Sequence, residues 1–292
     1  MKISTQDFQS RQHMIRTEYE VFHYLDRKLH DVQLHHHDFY EVYLFLSGRV
    51  TYFVEGKSYV LKPHDILFIA PNELHQAVIS ADTQAYERMV LWIDRQFLKT
   101  LGDTTTDLEQ CFNTTLLTHT NLLRLSPDHF QLIKSELLQL LITSKEEAFG
   151  SKLLSHSYVQ RLMILLNRYA LLGKNEDLND AILVNDFLEP ITAFISENLS
   201  QELTLDGIAT HFYMSKFYLM REFKRQTGTT IHQYIMQKRL VLSKQLILEN
   251  MPISDVSAQC GFNTYSHFFR AFKDQYEMTP KQFYNFMHAE IR

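Results

Sequence analysis

The sequence predicts a multidomain α+β fold, with an N-terminal β-barrel, a helical segment and an all-α C-terminal domain. Short aromatic and β-branched segments crowd the region from about residue 20 to residue 93, and helical apolar spacing replaces them after residue 97. The C-terminal third repeats one pattern of short helix, tight turn and second helix. The predicted limits are 1–98 for the barrel, 99–173 for the helical segment, 174–185 for a linker and 186–292 for the C-terminal domain.

Short segments bounded by Gly, Pro, Asn or Asp predict the strands of the barrel. They read EVFHYL, EVYLFLSG, RVTYFVEGKSYVL, DILFIAP and YERMVLWI. The third segment predicts a hairpin that turns near Glu55-Gly56-Lys57. Several short strands at close spacing are typical of a β-sandwich or a barrel.

Two helices are predicted in the helical segment. The first begins at Ser126 as N-cap and Pro127 as first helical residue, and its apolar stripe is Phe130, Ile133, Leu137 and Leu140. The second runs from about Ser151 to Leu172, with a stripe of Leu154, Tyr158, Leu162, Leu165, Tyr169 and Leu172. Such stripes either pack on their own domain or form a seam between two protomers. A polar stretch, GKNEDLND, follows as the linker.

Two helix-turn-helix units are predicted in the C-terminal third, at about 204–226 and 253–275. In the first, Thr204 and Ser215 are predicted N-caps, and in the second Gly261 lies in the turn. A spacer helix at about 230–250 would be roughly 30 Å long, which is close to one turn of B-DNA. The pair of units therefore predicts two helices in successive major grooves.

The second helix of each unit has an apolar face and a face suited to DNA. Leu219, Phe223, Phe268 and Phe272 are expected to point inward at a spacing of four. The outward side chains supply cations for phosphates and hydroxyls for base edges. The predicted DNA-binding residues are Lys216, Phe217, Met220, Arg221, Lys224, Tyr265, Ser266, Phe269, Arg270 and Lys273.

Charge restricts this prediction to a local surface. The whole chain carries a net charge of −5, and the part from Asp186 onward has 11 basic and 11 acidic residues. A general affinity for nucleic acid through excess positive charge is therefore excluded.

These residues resemble the AraC/XylS family of bacterial transcription regulators. The resemblance covers the C-terminal third, and its marks are Arg239, Gly261-Phe262, the Phe268 to Lys273 segment and Thr279-Pro280. It implies promoter DNA and RNA polymerase as partners and two base-reading helices. By position, Lys216, Phe217, Met220 and Arg221 match the first base-reading set, and Tyr265, Ser266 and Arg270 match the second.

Four polar residues of the barrel are candidates for a functional site. His35 and His37 are one residue apart, Glu41 and Gly48 follow, and His75 lies after another strand. This spacing resembles the cupin barrel, whose enzymes use such residues as metal ligands, and AraC-type regulators often carry a cupin-like N-terminal domain. Three interpretations stay open: an effector pocket, structural residues and a metal site.

The effector pocket is the preferred interpretation, with His35, His37, Glu41 and His75 as effector-binding residues. His36 is expected to face away. Tyr43, Tyr52, Phe53 and Trp92 are candidates for aromatic walls that suit a sugar, or for ordinary barrel core. No catalytic residue, cofactor or bound metal is expected.

The function predicted from the sequence is an effector-responsive transcription activator that acts as a homodimer, with a sugar or a related small metabolite as its effector. Two alternatives stay open: a metal-dependent cupin enzyme fused to a DNA-binding domain, and a ligand-independent regulator whose barrel only dimerises. The N-terminus lacks the apolar core of a signal peptide, no run of 18 apolar residues occurs, and the two cysteines form no motif. A cytoplasmic protein without a membrane partner is therefore expected.

Overall fold

The computed structural model describes residues 5, 8, 13–28, 32–114, 119–171, 182–183 and 186–289. The chain divides into two compact units, Met1–Val184 and Asn185–Arg292. The predicted linker stretch from Gly173 to Asp180 lies outside the described residues, and so does Leu172. None of the helices described is long and apolar enough to span a bilayer.

The N-terminal unit contains two antiparallel sheets. The first has the strand order β1-β7-β2-β5-β8 and the second has the order β6-β3-β4-β9. The strands are β1 Tyr19–Asp26, β2 Tyr40–Ser47, β3 Val50–Val54, β4 Lys57–Val60, β5 Asp65–Ile69, β6 His75–Ile79, β7 Tyr86–Ile93, β8 Leu122–Arg124 and β9 Ile182–Leu183. The five strand segments predicted from sequence all form strands, and the predicted hairpin joins β3 to β4 through Glu55 and Gly56, both at positive φ.

The strand β2 is buried on both faces, which places it at the centre of the domain. Val42 and Leu44 pack in the cluster that includes the helices, whereas Tyr43 and Phe45 point into the interior between the two sheets. A strand buried on both faces reads as a continuous apolar run instead of an alternating one, and YEVYLFL is such a run except at Glu41.

Helices cover the outer face of the first sheet. They are α1 Arg95–Leu101, a 3-10 helix at Gln110–Phe112, α2 Pro127–Thr143 and α3 Ser151–Leu171. The predicted α2 stripe is fully buried against this sheet. On α3 the predicted stripe is partly confirmed: Leu162 is buried and Tyr158, Leu165 and Tyr169 pack partly buried against this core, whereas Leu154 is exposed. The buried face also includes Val159, Met163 and Leu166, which were not in the predicted stripe. Both helices therefore pack on their own domain.

The limits of the barrel differ from the predicted 1–98. The strand β8 pairs with β5, and β9 pairs with β4, so the sheets include residues that the sequence analysis placed in the helical segment and the linker. These strands have three and two residues, too few for a periodic pattern. Their extended conformation depends on strand partners that are distant in sequence.

The C-terminal unit is helical, and its elements follow the predicted ones closely. They are α4 Leu188–Glu197, α5 Leu205–His211, α6 Lys216–Thr227, α7 Ile231–Leu248, α8 Ile253–Gln259, α9 Tyr265–Tyr276 and α10 Pro280–Ala289. The predicted caps are present, because the Thr204 side chain accepts from the Gly207 amide at 3.0 Å and Ser215 accepts from Tyr218 at 3.2 Å. Local capping chemistry therefore sets the starts of α5 and α6.

The turn between α8 and α9 is held by Gly261 and Arg239. Gly261 has φ +74°, and a side chain there would overlap the Leu199 carbonyl oxygen. Arg239 on α7 donates from Nε to the Leu199 carbonyl at 3.1 Å and from Nη2 to the Gln201 carbonyl at 2.8 Å. Both residues were family marks in the sequence, and in the structure both lie against the segment before α5.

Candidate functional site

The helices α6 and α9 are the second helices of the two helix-turn-helix units. Their inward residues were correctly predicted, since Leu219, Phe223, Phe268 and Phe272 are all fully buried. Burying one apolar face on each helix leaves the opposite face in solvent. The two exposed faces therefore carry the candidate DNA contacts.

The exposed face of α6 combines cations with apolar side chains. Phe217 is 86% exposed and Met220 is 43% exposed, which is unusual for side chains of this size without a partner. Arg221 and Lys224 are also exposed, and Lys216 forms an ion pair of 2.8 Å with Asp206 on α5. A surface pair of this kind is weak, so Lys216 can exchange Asp206 for a phosphate.

The exposed face of α9 carries Tyr265, Ser266, Arg270 and Lys273. Phe269 was predicted to point outward with these residues, but its side chain is half-buried. Tyr213, which the sequence analysis did not single out, is 98% exposed at the turn between α5 and α6. Its positive φ of 53°, rare for an aromatic residue, presents the ring to solvent.

The N-terminal unit encloses a cavity of about 390 Å³. Six of its thirteen lining residues are Phe, Tyr or Trp, and a few polar groups converge on the space, as in small-molecule sites. The lining residues are Phe8, Tyr24, Val32, Gln33, His35, Glu41, Tyr43, Tyr52, Ala77, Tyr86, Arg88, Val90 and Trp92. Three of the four predicted aromatic walls are among them, whereas Phe53 is fully buried and does not line the cavity.

The four predicted effector-binding residues lie together at one wall of the cavity. His35 and Glu41 line it, and His37 and His75 are buried beside them. The backbones of His35 and His75 pair as antiparallel neighbours, which brings their ring centroids to 4.2 Å. The His37 ring lies 4.7 Å from the His75 ring, and its Nε2 is 3.5 Å from Glu41 Oε2.

The tautomers of these histidines follow from their hydrogen bonds. The Nδ1 atom of His35, His37 and His75 lies 2.8, 2.9 and 2.8 Å, respectively, from the carbonyl oxygen of Gln33, Phe39 and Glu73. A carbonyl only accepts, so each Nδ1 carries the proton and donates it. In the neutral ring, Nε2 therefore holds a lone pair.

Burial sets the protonation states at this wall. It lowers the pKa of His75 well below its usual value, and the neighbouring His35 and His37 lower it further. Burial also lowers the pKa of His35, with His37 adding to the effect. Burial alone would raise the pKa of Glu41, but His37, His35 and the Trp92 indole outweigh it, so this pKa is lowered. Trp92 Nε1 donates to Glu41 Oε2 at 2.6 Å, which fixes the carboxylate.

His36 was expected to face away from the other histidines. It is not among the described residues that line the cavity, but it is buried, with only 3% exposure. Alternation along a strand places it opposite His35 and His37, yet the face opposite the cavity is itself covered by protein. Alternation thus separates two faces without indicating which of them meets solvent.

Sequence reasoning missed the ion pair at the other wall of the cavity. Arg88 on β7 pairs through Nη1 with Asp26 on β1, and both side chains are buried. Its guanidinium carbon lies 4.1 Å from the Tyr86 ring centroid and 4.8 Å from that of Tyr24. Among the residues described, Arg88 Nη2 has no hydrogen-bond partner. The alternation of YERMVLWI was a usable signal, because it places Arg88, Val90 and Trp92 on one face.

Comparisons with known proteins match both halves of the chain. Residues 19–163 match the model of an AraC-like ligand binding domain, and residues 208–285 match that of a helix-turn-helix domain. The chain is similar to "Probable transcriptional regulator LumQ" of Photobacterium leiognathi, at 28% identity over 87% of this chain and 92% of that protein. It is also similar to "HTH-type transcriptional activator RhaS" of Klebsiella pneumoniae, at 23% identity over 85% of each.

Among solved structures, the C-terminal domain of the two-component response regulator yesN from Fusobacterium nucleatum is similar to part of the chain. The match has 31% identity, covers 33% of this chain and 95% of that one, and has a TM-score of 0.32.

A barrel that encloses a ligand cavity and a domain with two helix-turn-helix units define a transcriptional regulator with a ligand-binding domain and a DNA-binding domain. The chain belongs to the AraC family of transcriptional regulators. The resemblance identified from the sequence is confirmed.

Proposed function

We propose that this protein is an effector-responsive activator that binds promoter DNA through α6 and α9. The main support is that both helices lie in one compact unit, each with a buried apolar face and an exposed face that carries cations. The spacer α7 has 18 residues, hence a length of about 27 Å, so the two helices can enter successive major grooves. Activation is proposed because several similar relatives are described as activators.

Arg221 is proposed to contact a base edge and Lys224 a phosphate. The Arg221→Ala variant is expected to lower specific affinity by about 1–3 kcal/mol and to relax specificity at one position of the operator. The Lys224→Ala variant is expected to weaken binding to all sequences alike and to reduce the salt slope by about 1. Fluorescence anisotropy with operator and random duplexes at several salt concentrations measures both effects. An unchanged footprint and affinity for Arg221→Ala would remove that residue from the interface.

The effector is proposed to be a sugar or a related small metabolite bound in the barrel cavity. Burial raises the pKa of Tyr43 and Tyr52 well above the usual value, with the neighbouring Tyr86 and Glu41 adding to the respective shifts. Their hydroxyls therefore stay neutral, able both to donate and to accept. Arg88 Nη2 is a further donor for a ligand oxygen. Aromatic walls with scattered hydroxyl and guanidinium donors suit a ligand rich in oxygen.

Thermal-shift screening of the full chain against sugars and sugar acids tests the effector. A ligand at about 100 times its Kd is expected to stabilise the N-terminal domain by about 2.7 kcal/mol. The Tyr43→Phe variant is expected to bind the effector about fivefold more weakly, because the substitution removes one hydroxyl that can hydrogen-bond the ligand. Tyr40→Phe is the matched control, because Tyr40 lies on the same strand but outside the cavity and bonds Glu109. A screen in which no metabolite raises the midpoint would favour a barrel that only dimerises.

Dimerisation through α2 and α3 is proposed as the way in which two protomers occupy adjacent half-sites. Leu153 is 76% exposed and Leu154 is 46% exposed at the start of α3, next to Phe149, so an apolar surface is available for a partner. Two DNA-binding units joined in one dimer bind DNA more tightly, because the second unit is held close to its half-site once the first has bound. The effector would act by shifting the equilibrium between arrangements of the two units. We also propose that the DNA-bound dimer contacts RNA polymerase and that the protein acts in the cytoplasm.

A further inference from the structure

The outward face of α6 begins with two apolar side chains, at positions where a base-reading helix commonly presents hydrogen-bonding ones. Phe217 is 86% exposed and Met220 is 43% exposed, and Arg221 and Lys224 are exposed beside them. We propose that Phe217 and Met220 contact the C5-methyl groups of thymines in the major groove, so that thymines specify the half-site bound by α6. The inference rests on the proposed binding of DNA through α6 and α9, and it adds which bases α6 selects.

Both side chains lie in the part of α6 that meets base edges in a helix-turn-helix complex. The helix begins at Lys216 after the Ser215 cap, so Phe217 is its second residue and Met220 its fifth. Recognition helices contact bases through their N-terminal residues. Residues three and four apart share one face of a helix, so Phe217, Met220 and Arg221 form one row. The apolar pair therefore lies beside the arginine that is proposed to contact a base.

The cations around the apolar pair identify DNA as the occupant of this face. Lys216 precedes the pair, and Arg221 and Lys224 follow it on the same exposed side. An apolar protein partner would bury these charges without counter-charges, which is unfavourable. In a major groove, by contrast, the cations reach phosphates while the apolar side chains reach the base edges. The mixed face thus matches the two kinds of surface that a groove presents.

The chemistry of the two apolar side chains selects thymine. A phenyl ring offers no hydrogen-bond donor or acceptor, and a thioether sulfur is only a weak acceptor. Against guanine, adenine or cytosine, such a side chain would displace water from polar groups without replacing the lost hydrogen bonds. Thymine alone has an apolar group in the major groove, its C5-methyl group. Phe217 and Met220 therefore favour thymine through contact and disfavour the other bases through desolvation.

The outward face of α9 has different chemistry and supplies an internal comparison. Ser266 and Arg270 are exposed there, and Tyr265 is 49% exposed and carries a hydroxyl. These groups can exchange hydrogen bonds with base edges. The half-site bound by α9 is therefore expected to depend on hydrogen bonds more than on methyl groups.

Replacing thymidine with deoxyuridine tests the proposal, because this change removes the methyl group and keeps the base pair. A duplex that the full chain binds specifically is first selected from a random library. Each thymidine is then replaced in turn, and binding is measured by fluorescence anisotropy at constant salt. We expect replacements within one half-site to weaken binding by about fourfold for each methyl group that the protein buries. Replacements in the other half-site are expected to have little effect.

Two variants assign the methyl contacts to α6. Phe217→Ala and Met220→Ala are each expected to bind the selected duplex more weakly and to bind it equally with thymidine or deoxyuridine at the contacted position. A double-mutant cycle over side chain and methyl group measures this coupling. Phe286→Ala is the matched control, because Phe286 is 52% exposed on α10, outside both helix-turn-helix units. It is expected to keep the wild-type ratio of affinities at every position.

The proposal is overturned if the wild type binds its selected duplex specifically but no deoxyuridine replacement weakens binding, and the DNA-binding proposal then stands. It is also overturned if the sensitive positions stay equally sensitive in both Phe217→Ala and Met220→Ala, because other side chains would then contact the methyl groups. If the full chain binds no selected duplex more tightly than a random one, the proposal fails together with DNA binding through α6 and α9.

Discussion

The Arg88→Met variant is expected to destabilise the N-terminal domain by about 3–5 kcal/mol. Asp26 would be left buried without its counter-charge, and this penalty exceeds the loss of the pair itself. The guanidinium would also leave its position over the rings of Tyr86 and Tyr24. Urea unfolding followed by the fluorescence of Trp92, the single tryptophan of the chain, measures this domain alone.

Arg49→Met is the matched control for this prediction. Arg49 pairs with Asp82 in the same domain, but both side chains are more than half exposed, so little or no change is expected. The double variant Arg88→Met, Asp26→Asn is expected to recover much of the loss, because no buried charge remains and asparagine keeps an acceptor for the Phe8 amide. A midpoint shift for Arg88→Met no larger than that for Arg49→Met would contradict the prediction.

The Gly261→Ala variant is expected to destabilise the C-terminal domain by about 3 kcal/mol or more and to abolish specific DNA binding. An alanine there would adopt a strained left-handed conformation, overlap the Leu199 carbonyl and approach Arg239 Nη2 to 2.8 Å. Arg239 would then lose its bonds to the segment before α5, and the turn that orients α9 would move. Thermal unfolding followed by circular dichroism and operator binding by anisotropy measure the two effects.

Gly150→Ala separates backbone strain from steric overlap. Gly150 also has a positive φ, +75°, but a side chain there would meet nothing within 4 Å. Strain alone is expected to cost about 1–2 kcal/mol, confined to the N-terminal domain. In Gly261→Ala, the unfolding of the N-terminal domain, followed by Trp92 fluorescence, is expected to stay unchanged. Wild-type operator affinity and unfolding in Gly261→Ala would show that the overlap at Leu199 is relieved at little cost.

Local chemistry explains why the C-terminal elements were predictable. A hydroxyl at Thr204 or Ser215 caps the next helix whatever the rest of the chain does, and a spacing of four turns Leu219 and Phe223 to the same side. The longer strands of the barrel were equally predictable, because their aromatic and β-branched runs are long enough to show a pattern. The short strands β8 and β9 were not, because their conformation comes from pairing with β5 and β4.

The cavity was only half predictable for a related reason. The spacing of His35, His37 and Glu41 is local and drew attention to one wall. The opposite wall depends on Asp26 and Arg88, which are 62 residues apart and meet because β1 and β7 are adjacent in the sheet. His36 shows the limit of alternation, because whether a strand face meets solvent or protein depends on what packs over it.

By itself, the sequence determined the two-domain organisation, the positions of the helix-turn-helix units, their caps and inward faces, and the family. These features depend on residues within a few positions of one another or on motifs that carry the family resemblance. Only the tertiary structure decided which lone pairs at the histidine wall lack a donor, that Arg88 and Asp26 meet, and that α3 turns Leu154 outward. Those outcomes depend on sheet register and on packing between distant segments, because both bring together groups whose separation along the chain carries no signal.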